Sequence, residues 1–409
     1  MTASSRYPWL LIGLLWMVAF LNAADRSILF TVMPQLKTEF GLTATKLALL
    51  NSVFFWVYAV CAFLSGSLGD KSRRSRVIIY GLLFWSVATG LVSLSTGFAM
   101  LLGLRALVAM GEATYYPTAT ALISDWHRPE MRGRALSLHQ TAVFAGAGMG
   151  ALAAGYMADA LGWQAPFLIF GGIGFVVAAI LFKFLLDAPP RAPQPEKPPR
   201  APLGTVLRIP PALMLCVVFF LANGASTGVT VWAPTFVHDA LGLNLGGSAL
   251  VGAATIQIAG FLTVPFSGLL GDYWAKRTPV GRFYTLALGL ALAAVLLVPL
   301  LWATTAGMVG LVLLLTSIGK GIFDGCIYAS MHDVVPPHAR ATAVGLMTMI
   351  GFFGAGLSPL IIAWMSGSFG LAAGMTSMAA AYVVAVVIIL SMTAVTRRAV
   401  IANEKLAHA

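Results

Sequence analysis

Two glycine–aspartate stretches organise this sequence: Gly66-Ser-Leu-Gly-Asp70 and, 202 residues later, Gly268-Leu-Leu-Gly-Asp272. Each stretch follows a long apolar run and precedes a basic cluster. Further matches occur at an offset of 208 residues, where Gly146-Ala-Gly148 corresponds to Gly354-Ala-Gly356. Several features therefore share nearly one register, and we infer that the chain contains two copies of one unit. Parallel repeats of this kind predict a site between the halves at mid-membrane, with alternating access.

The composition places the chain in a lipid bilayer. Of its 409 residues, 59% are hydrophobic and only 10% are charged. A soluble globular protein has about 45–50% apolar and about 25% charged residues. The soluble-enzyme, fibrous and disordered classes are therefore excluded.

Twelve apolar runs are long enough to cross a bilayer as helices, which takes roughly 20 residues each. They lie at residues 8–35, 46–69, 77–95, 98–125, 133–160, 163–186, 208–236, 247–271, 282–302, 305–332, 341–367 and 370–396. We predict an all-α membrane protein of twelve transmembrane helices in two pseudo-symmetric six-helix halves.

A proline-rich segment separates the halves. Nearly half of residues 187–202 are proline, and large apolar side chains are almost absent there. Such a segment favours an extended linker over a helix. The predicted domains are an N-terminal bundle at residues 1–187, a cytoplasmic linker at 188–206 and a C-terminal bundle at 207–409.

The basic residues predict the orientation. If both termini are cytoplasmic, 20 of the 25 Lys and Arg residues lie on that side, whereas only Lys37 and Lys46 lie outside. This asymmetry is typical of the positive-inside rule. It explains the net charge of +11 through topology and lipid headgroup contact, without a nucleic-acid partner. We expect a multi-pass protein of the inner (plasma) membrane.

The loop at residues 66–74 resembles the signature of the major facilitator superfamily between its second and third spans. Arg73 stands where many members have glycine. The resemblance covers the whole chain and implies the major facilitator fold. It also implies a gating motif that latches the cytoplasmic side of the outward-open state. In this chain, the residues of that motif are Gly66, Asp70, Arg74 and the second-half counterpart Asp272.

Two branches of the superfamily compete. One resemblance is to the anion:cation symporter family, which moves sugar acids and other carboxylates with protons or sodium. It rests on Asp25-Arg26, Arg105, Gly111-Glu112-Ala113, Tyr116-Pro117, Trp126 and Arg132-Gly-Arg134-Ala135. Spinster-type transporters of amphipathic lipids, such as lysophospholipids, carry a similar Asp-Arg pair and Gly-Glu-Ala motif. Arg73-Arg74 and the proline-rich exit at residues 187–190 fit that branch at least as well.

Charged residues inside predicted spans are the candidate site, because each costs at least about 2.5–3.5 kcal/mol at a helix centre. Arg105 and Glu112 are seven residues apart, about 10 Å along one helix face. Asp25 and Arg26 lie at a depth between them. The four side chains are predicted to form one cluster, although a static ion pair is the alternative. We assign Arg26 and Arg105 to substrate binding and Asp25 and Glu112 to proton coupling.

The proposed coupling follows from competition for an arginine. Burial in an apolar medium favours a neutral carboxylic acid, whereas a neighbouring arginine favours the carboxylate. A substrate anion that draws the arginine away would therefore favour protonation. This is a physical route to proton–substrate coupling.

Three other residues are weaker candidates for substrate binding. Lys320 stands at the 208 offset from Glu112, and either contacts a substrate anion or pairs with Asp324 one turn later. Tyr115 and Tyr116 either line a cavity or belong to ordinary helix packing.

The sequence contains no motif typical of a membrane enzyme or of an ATP-driven pump. We find no His-Glu-x-x-His motif or convincing catalytic pair, no metal-ligand spacing and no segment for a nucleotide-binding domain. We therefore predict a monomeric proton-coupled secondary transporter of a small organic anion, without enzymatic activity, cofactor or metal. Its partners are the anion, protons and membrane lipids.

Overall fold

The computed structural model describes residues 7–71, 73–188 and 203–408, and this part of the chain is helical and contains no β-strand. Twelve of its helices are long and apolar enough to cross a membrane. The predicted all-α class with twelve spans is therefore confirmed.

Six spans belong to the first half of the sequence. They are α1 Tyr7–Glu39, α2 Ala44–Lys71, α3 Arg74–Val92, α4 Phe98–Trp126, α5 Pro129–Leu161 and α6 Gln164–Phe184. Within this half, α1 packs on α5, α3 packs on α4 and α6, and α2 packs on α4.

Six further spans follow the short helix Leu203–Leu207. They are α7 Pro210–Leu241, α8 Leu245–Ala275, α9 Gly281–Trp302, α10 Ala306–Val334, α11 Arg340–Phe369 and α12 Leu371–Ser391. A final helix, α13, covers Thr393–His408. Within this half, α9 packs on α10 and α12.

The spans divide into two compact units. The first contains α1–α6 together with Ala233–Gln257, the end of α7 and the start of α8. The second contains the rest of α7 and α8 with α9–α12. The segment Ala233–Gln257 falls within the C-terminal bundle that the sequence predicts, but packs with the first unit.

Asp159 provides a specific contact for that segment. Its carboxylate accepts hydrogen bonds from the backbone N–H groups of Leu245 (2.9 Å) and Gly246 (2.8 Å). These are among the first amides of α8, which have no partner within the helix, and a carboxylate also suits the positive end of the helix dipole. An exposed ion pair between Lys37 and Asp239, at 3.1 Å, lies in the same unit.

Matching glycines bring two pairs of helices into close contact. A Cβ atom at Gly146 of α5 would overlap the carbonyl oxygen of Phe20 in α1. At the 208 offset, a Cβ atom at Gly354 of α11 would overlap the carbonyl oxygen of Phe220 in α7. Small residues allow such close backbone approach between helices in lipid. The internal repeat therefore reproduces the same packing contact in each unit.

The repeat extends to the ends of these helices. Gly162 follows α5 with φ of 85°, and Gly370 follows α11 with φ of 83°. A positive φ suits glycine because a side chain would strain the backbone there. The 208 offset therefore relates helix ends as well as helix contacts.

These contacts predict that two glycine-to-alanine substitutions in the same helix differ in their effect on stability. Gly146→Ala and Gly354→Ala should each lower the free energy of unfolding by about 1–3 kcal/mol, because the helices must separate. Gly133→Ala in α5 and Gly345→Ala in α11 are matched controls, since an added Cβ meets nothing within 4 Å. Thermal unfolding of the purified proteins measures the effect. Equal melting temperatures for the four variants would contradict the assigned packing.

Candidate functional site

An ion pair between α1 and α4 is central to the charged cluster of the first unit. Arg26 Nε donates to Glu112 Oε2 at 2.6 Å. The Glu112 side chain has no solvent exposure. Arg26 also donates through Nη2 to Asn22 Oδ1 at 2.8 Å. Its guanidinium lies 4.4 Å from the centroid of the Tyr58 ring of α2, in cation–π geometry. Arg26 is therefore held by three helices.

Asp25 is held by a tryptophan from α3. The Trp85 indole N–H donates to Asp25 Oδ2 at 3.1 Å, and both side chains are buried. Asp25 Oδ1 is buried without a hydrogen-bond partner among the described residues. Trp85 was not among the predicted site residues. A buried indole N–H needs a hydrogen-bond partner, so a tryptophan inside a span could have indicated a partner such as Asp25.

Arg105 is a buried cation that forms no ion pair with an acid of the described part of the chain. It is 2% exposed, and its guanidinium lies 4.5 Å from the centroid of the Phe54 ring of α2. Its Nε has no hydrogen-bond partner in the described part of the chain. Arg26 therefore engages Glu112, whereas the guanidinium of Arg105 stacks on an aromatic ring. The structure brings all four charged residues of the predicted cluster together in the first unit.

A break in α4 positions Glu112. The span consists of the helices Phe98–Glu112 and Tyr115–Trp126. Pro117 contributes to the break because it supplies no backbone N–H to the preceding turn. The Thr114 hydroxyl donates to the carbonyl oxygen of Gly111 at 2.8 Å, within the break. Glu112 is thus the last residue of a helix, a feature that the continuous apolar run did not reveal.

The two predicted tyrosines occupy different environments. Tyr115 is buried, and its hydroxyl donates to the carbonyl oxygen of Leu15 at 2.5 Å and lies 2.7 Å from His139 Nε2. It therefore ties α4 to α1 and α5. Tyr116 is exposed and donates to Gln140 Oε1 of α5.

Lys320 lies in the second unit and pairs within its own helix. Its ammonium is 2.6 Å from Asp324 Oδ1, one turn later in α10. The Lys320 side chain is 8% exposed and that of Asp324 is 38% exposed. The sequence left two roles open for Lys320, and the structure has the ion pair with Asp324.

Two of the four predicted gating residues, Arg74 and Asp272, belong to ion pairs. Arg74 pairs with Asp125 in the first unit. In the second, Arg282 binds Asp272 at 2.6 Å and Asp333 at 2.7 Å. Arg282 and Asp333 stand at the 208 offset from Arg74 and Asp125, a signal that could have identified these partners from the sequence. The side chains of Gly66 and Asp70 lie outside the described residues.

A model of the Major Facilitator Superfamily matches residues 15–359. The chain belongs to this superfamily. It is a multi-pass membrane transporter rather than an enzyme. Across the described residues, no group of three or more His, Cys, Asp or Glu side chains is placed to hold a metal ion.

Relatives from both branches match this superfamily member. The hexuronate transporter of Bacillus subtilis is 28% identical over 392 residues, which cover 90% of this chain and 92% of the relative. Protein spinster of Drosophila melanogaster is 27% identical over 368 residues, which cover 86% of this chain and 60% of the relative.

A solved structure has the same fold. The crystal structure of a bacterial homologue of the human lysosomal transporter Spinster, inward-facing and occupied, aligns with a TM-score of 0.84. It is 19% identical, and the alignment covers 96% of this chain and 98% of the other.

The Lys320–Asp324 pair predicts a compensating double substitution. Lys320→Met leaves a partly buried carboxylate unpaired and should lower the free energy of unfolding by on the order of 1–3 kcal/mol. Adding Asp324→Asn removes that charge and should restore most of the loss. Thermal unfolding of both variants and wild type measures this coupling. Equal destabilisation by the single and double variants would indicate that Lys320 has another role.

Proposed function

We propose that this transporter carries a small organic anion, a carboxylate or sugar acid, coupled to protons by alternating access. The observation that supports it most is Arg105, a buried guanidinium beside two acids, whose Nε has no hydrogen-bond partner among the described residues. The name of the B. subtilis relative, a hexuronate transporter, agrees with this substrate class. We further propose the inner membrane as its location, with both termini cytoplasmic, from the distribution of basic residues.

Arg105 is the proposed anion-binding residue. Removing a guanidinium from water is unfavourable unless an anion and hydrogen bonds compensate. Phe54 compensates in part through the ring contact at 4.5 Å. A substrate carboxylate would supply the missing acceptors, since the planar fork of arginine binds carboxylates with two parallel hydrogen bonds.

Charge balance links anion binding to protonation. Two ionised acids and two arginines sum to zero within the cluster. A bound monovalent anion leaves one uncompensated negative charge, and one proton on Glu112 or Asp25 restores neutrality. Both acids retain a buried oxygen without a partner among the described residues, Glu112 Oε1 and Asp25 Oδ1. We therefore propose one proton per monovalent anion, since a neutral cluster is far less costly to enclose in protein.

The anion site predicts a strong effect of a conservative substitution. Arg105→Lys keeps the charge but loses the two-pronged geometry, so affinity should fall at least about tenfold, or about 1.4 kcal/mol. Binding of a panel of hexuronates and aldarates to the purified protein measures this change. Arg397→Lys, an exposed arginine in α13, is the matched control and should bind as wild type does.

Two outcomes would overturn that assignment. Wild-type affinity in Arg105→Lys would remove Arg105 from the site. If wild type binds a lysophospholipid and none of the sugar acids, the substrate belongs to the competing spinster-type class.

Proton coupling predicts that binding and accumulation separate in one variant. Glu112→Gln imitates the protonated acid permanently, so it should still exchange substrate across the membrane but not accumulate it on a proton gradient. Counterflow and proton-driven uptake in the same proteoliposomes measure the two activities. Glu39→Gln is the control because it removes an exposed acid at the end of α1, outside the cluster, and it should retain proton-driven uptake.

The same assay also tests whether the proton-coupling site lies elsewhere. Proton-driven uptake that persists in both Glu112→Gln and Asp25→Asn would exclude these two acids. A loss confined to Asp324→Asn would assign coupling to the second unit instead.

A further inference from the structure

A groove of about 660 Å³ lies on the first unit between α3 and α4. It is separate from the charged cluster. Its apolar walls include Tyr80 and Phe84 of α3 and Met110 of α4, which are 58%, 45% and 44% exposed. These exposed residues belong to membrane spans, so the groove faces the surroundings of the protein.

Basic residues line one end of the groove. Arg73 and Arg76 precede or begin α3 and are both exposed. Arg74 between them is engaged by Asp125. In the described part of the chain, neither Arg73 nor Arg76 forms an ion pair. The groove therefore has two available cations at its end and no acidic side chain in its lining.

The cationic and apolar parts follow one stripe of α3. Arg73, Arg76, Tyr80 and Phe84 are spaced three or four residues apart, which places them on one helix face. From Arg76 to Phe84, this face extends about 12 Å along the helix. A charged end followed by an apolar channel of this length matches a lipid with an anionic headgroup and an acyl chain.

Glycines bring the groove close to the break in α4. A Cβ atom at Gly81 would overlap the Thr114 hydroxyl, and one at Gly111 would lie 2.8 Å from Phe84 Cδ1. Gly81, Gly111 and Thr114 all line the groove. Its inner wall is therefore the broken segment of α4 that carries Glu112.

We propose that this groove binds one anionic phospholipid. Arg73 and Arg76 hold the headgroup phosphate, and one acyl chain lies along Tyr80, Phe84 and Met110. Basic residues at the membrane boundary attract anionic headgroups. A soluble phosphate would leave the apolar walls of the groove uncovered, whereas the acyl chain of a lipid would cover them. It does not depend on the identity of the transported substrate.

Lipid selectivity tests the charged end. The purified full-length protein in a neutral detergent is titrated with phosphatidylglycerol or phosphatidylcholine of equal chain length, and bound lipid is counted by native mass spectrometry. Wild type should retain phosphatidylglycerol at least fivefold better. Arg73→Gln/Arg76→Gln should lose this preference, whereas the matched control Arg397→Gln/Arg398→Gln should keep it.

Three results would overturn the proposal. They are equal retention of the two lipids by wild type, equal loss of preference in both double variants, and displacement of phosphatidylglycerol by millimolar inorganic phosphate. The last result would identify a soluble anion as the ligand.

A crosslinking experiment tests the apolar channel independently. Phosphatidylglycerol with a photoactivatable group on its acyl chain should label peptides that contain Tyr80–Phe84 or Met110. Tyr80→Ser/Phe84→Ser changes only exposed side chains, so folding should persist, and labelling should fall at least threefold. Labels that map to other spans, or labelling unchanged in this variant, would place the acyl chain elsewhere.

Discussion

The ion pair between Arg26 and Glu112 governs the charge chemistry of the first unit. A fully buried carboxylate inside an apolar span needs a counter-charge, and Arg26 provides it at 2.6 Å. Arg26 is engaged by Glu112, whereas Arg105 forms no ion pair among the described residues and stacks on Phe54. Asp25, the neighbour of Arg26 on α1, is directed to the Trp85 indole. With Arg26 paired to Glu112, Arg105 is the arginine of the cluster that is available to bind an anion.

The repeat duplicates the scaffold but not this chemistry. Close helix contacts at Gly146 and Gly354, and ion pairs at Arg74 and Arg282, occur in both units. The buried charges of the cluster do not repeat, since Lys320 stands at the 208 offset from Glu112. Lys320 is satisfied within its own helix by Asp324. The packing contacts therefore recur in both units, whereas the cluster of Asp25, Arg26, Arg105 and Glu112 belongs to the first unit.

Sequence patterns predicted those features that depend on spacing along one helix. Apolar length predicted the twelve spans, and the positions of Arg105 and Glu112 along one helix face placed Asp25 at a depth between them. Features that depend on how helices are rotated against each other were missed. The Asp25–Trp85 bond joins α1 to α3, and periodicity within either helix does not specify it. The packing of Ala233–Gln257 with the first unit was missed for the same reason.

The charged cluster and the proposed lipid groove lie on different faces of the same short segments. On α3, Phe84 lines the groove, whereas its neighbour Trp85 is buried and binds Asp25. On α4, Gly111 lines the groove and Glu112 pairs with Arg26. The proposed lipid would therefore contact the turn of α4 that carries Glu112, one residue away from the buried ion pair with Arg26.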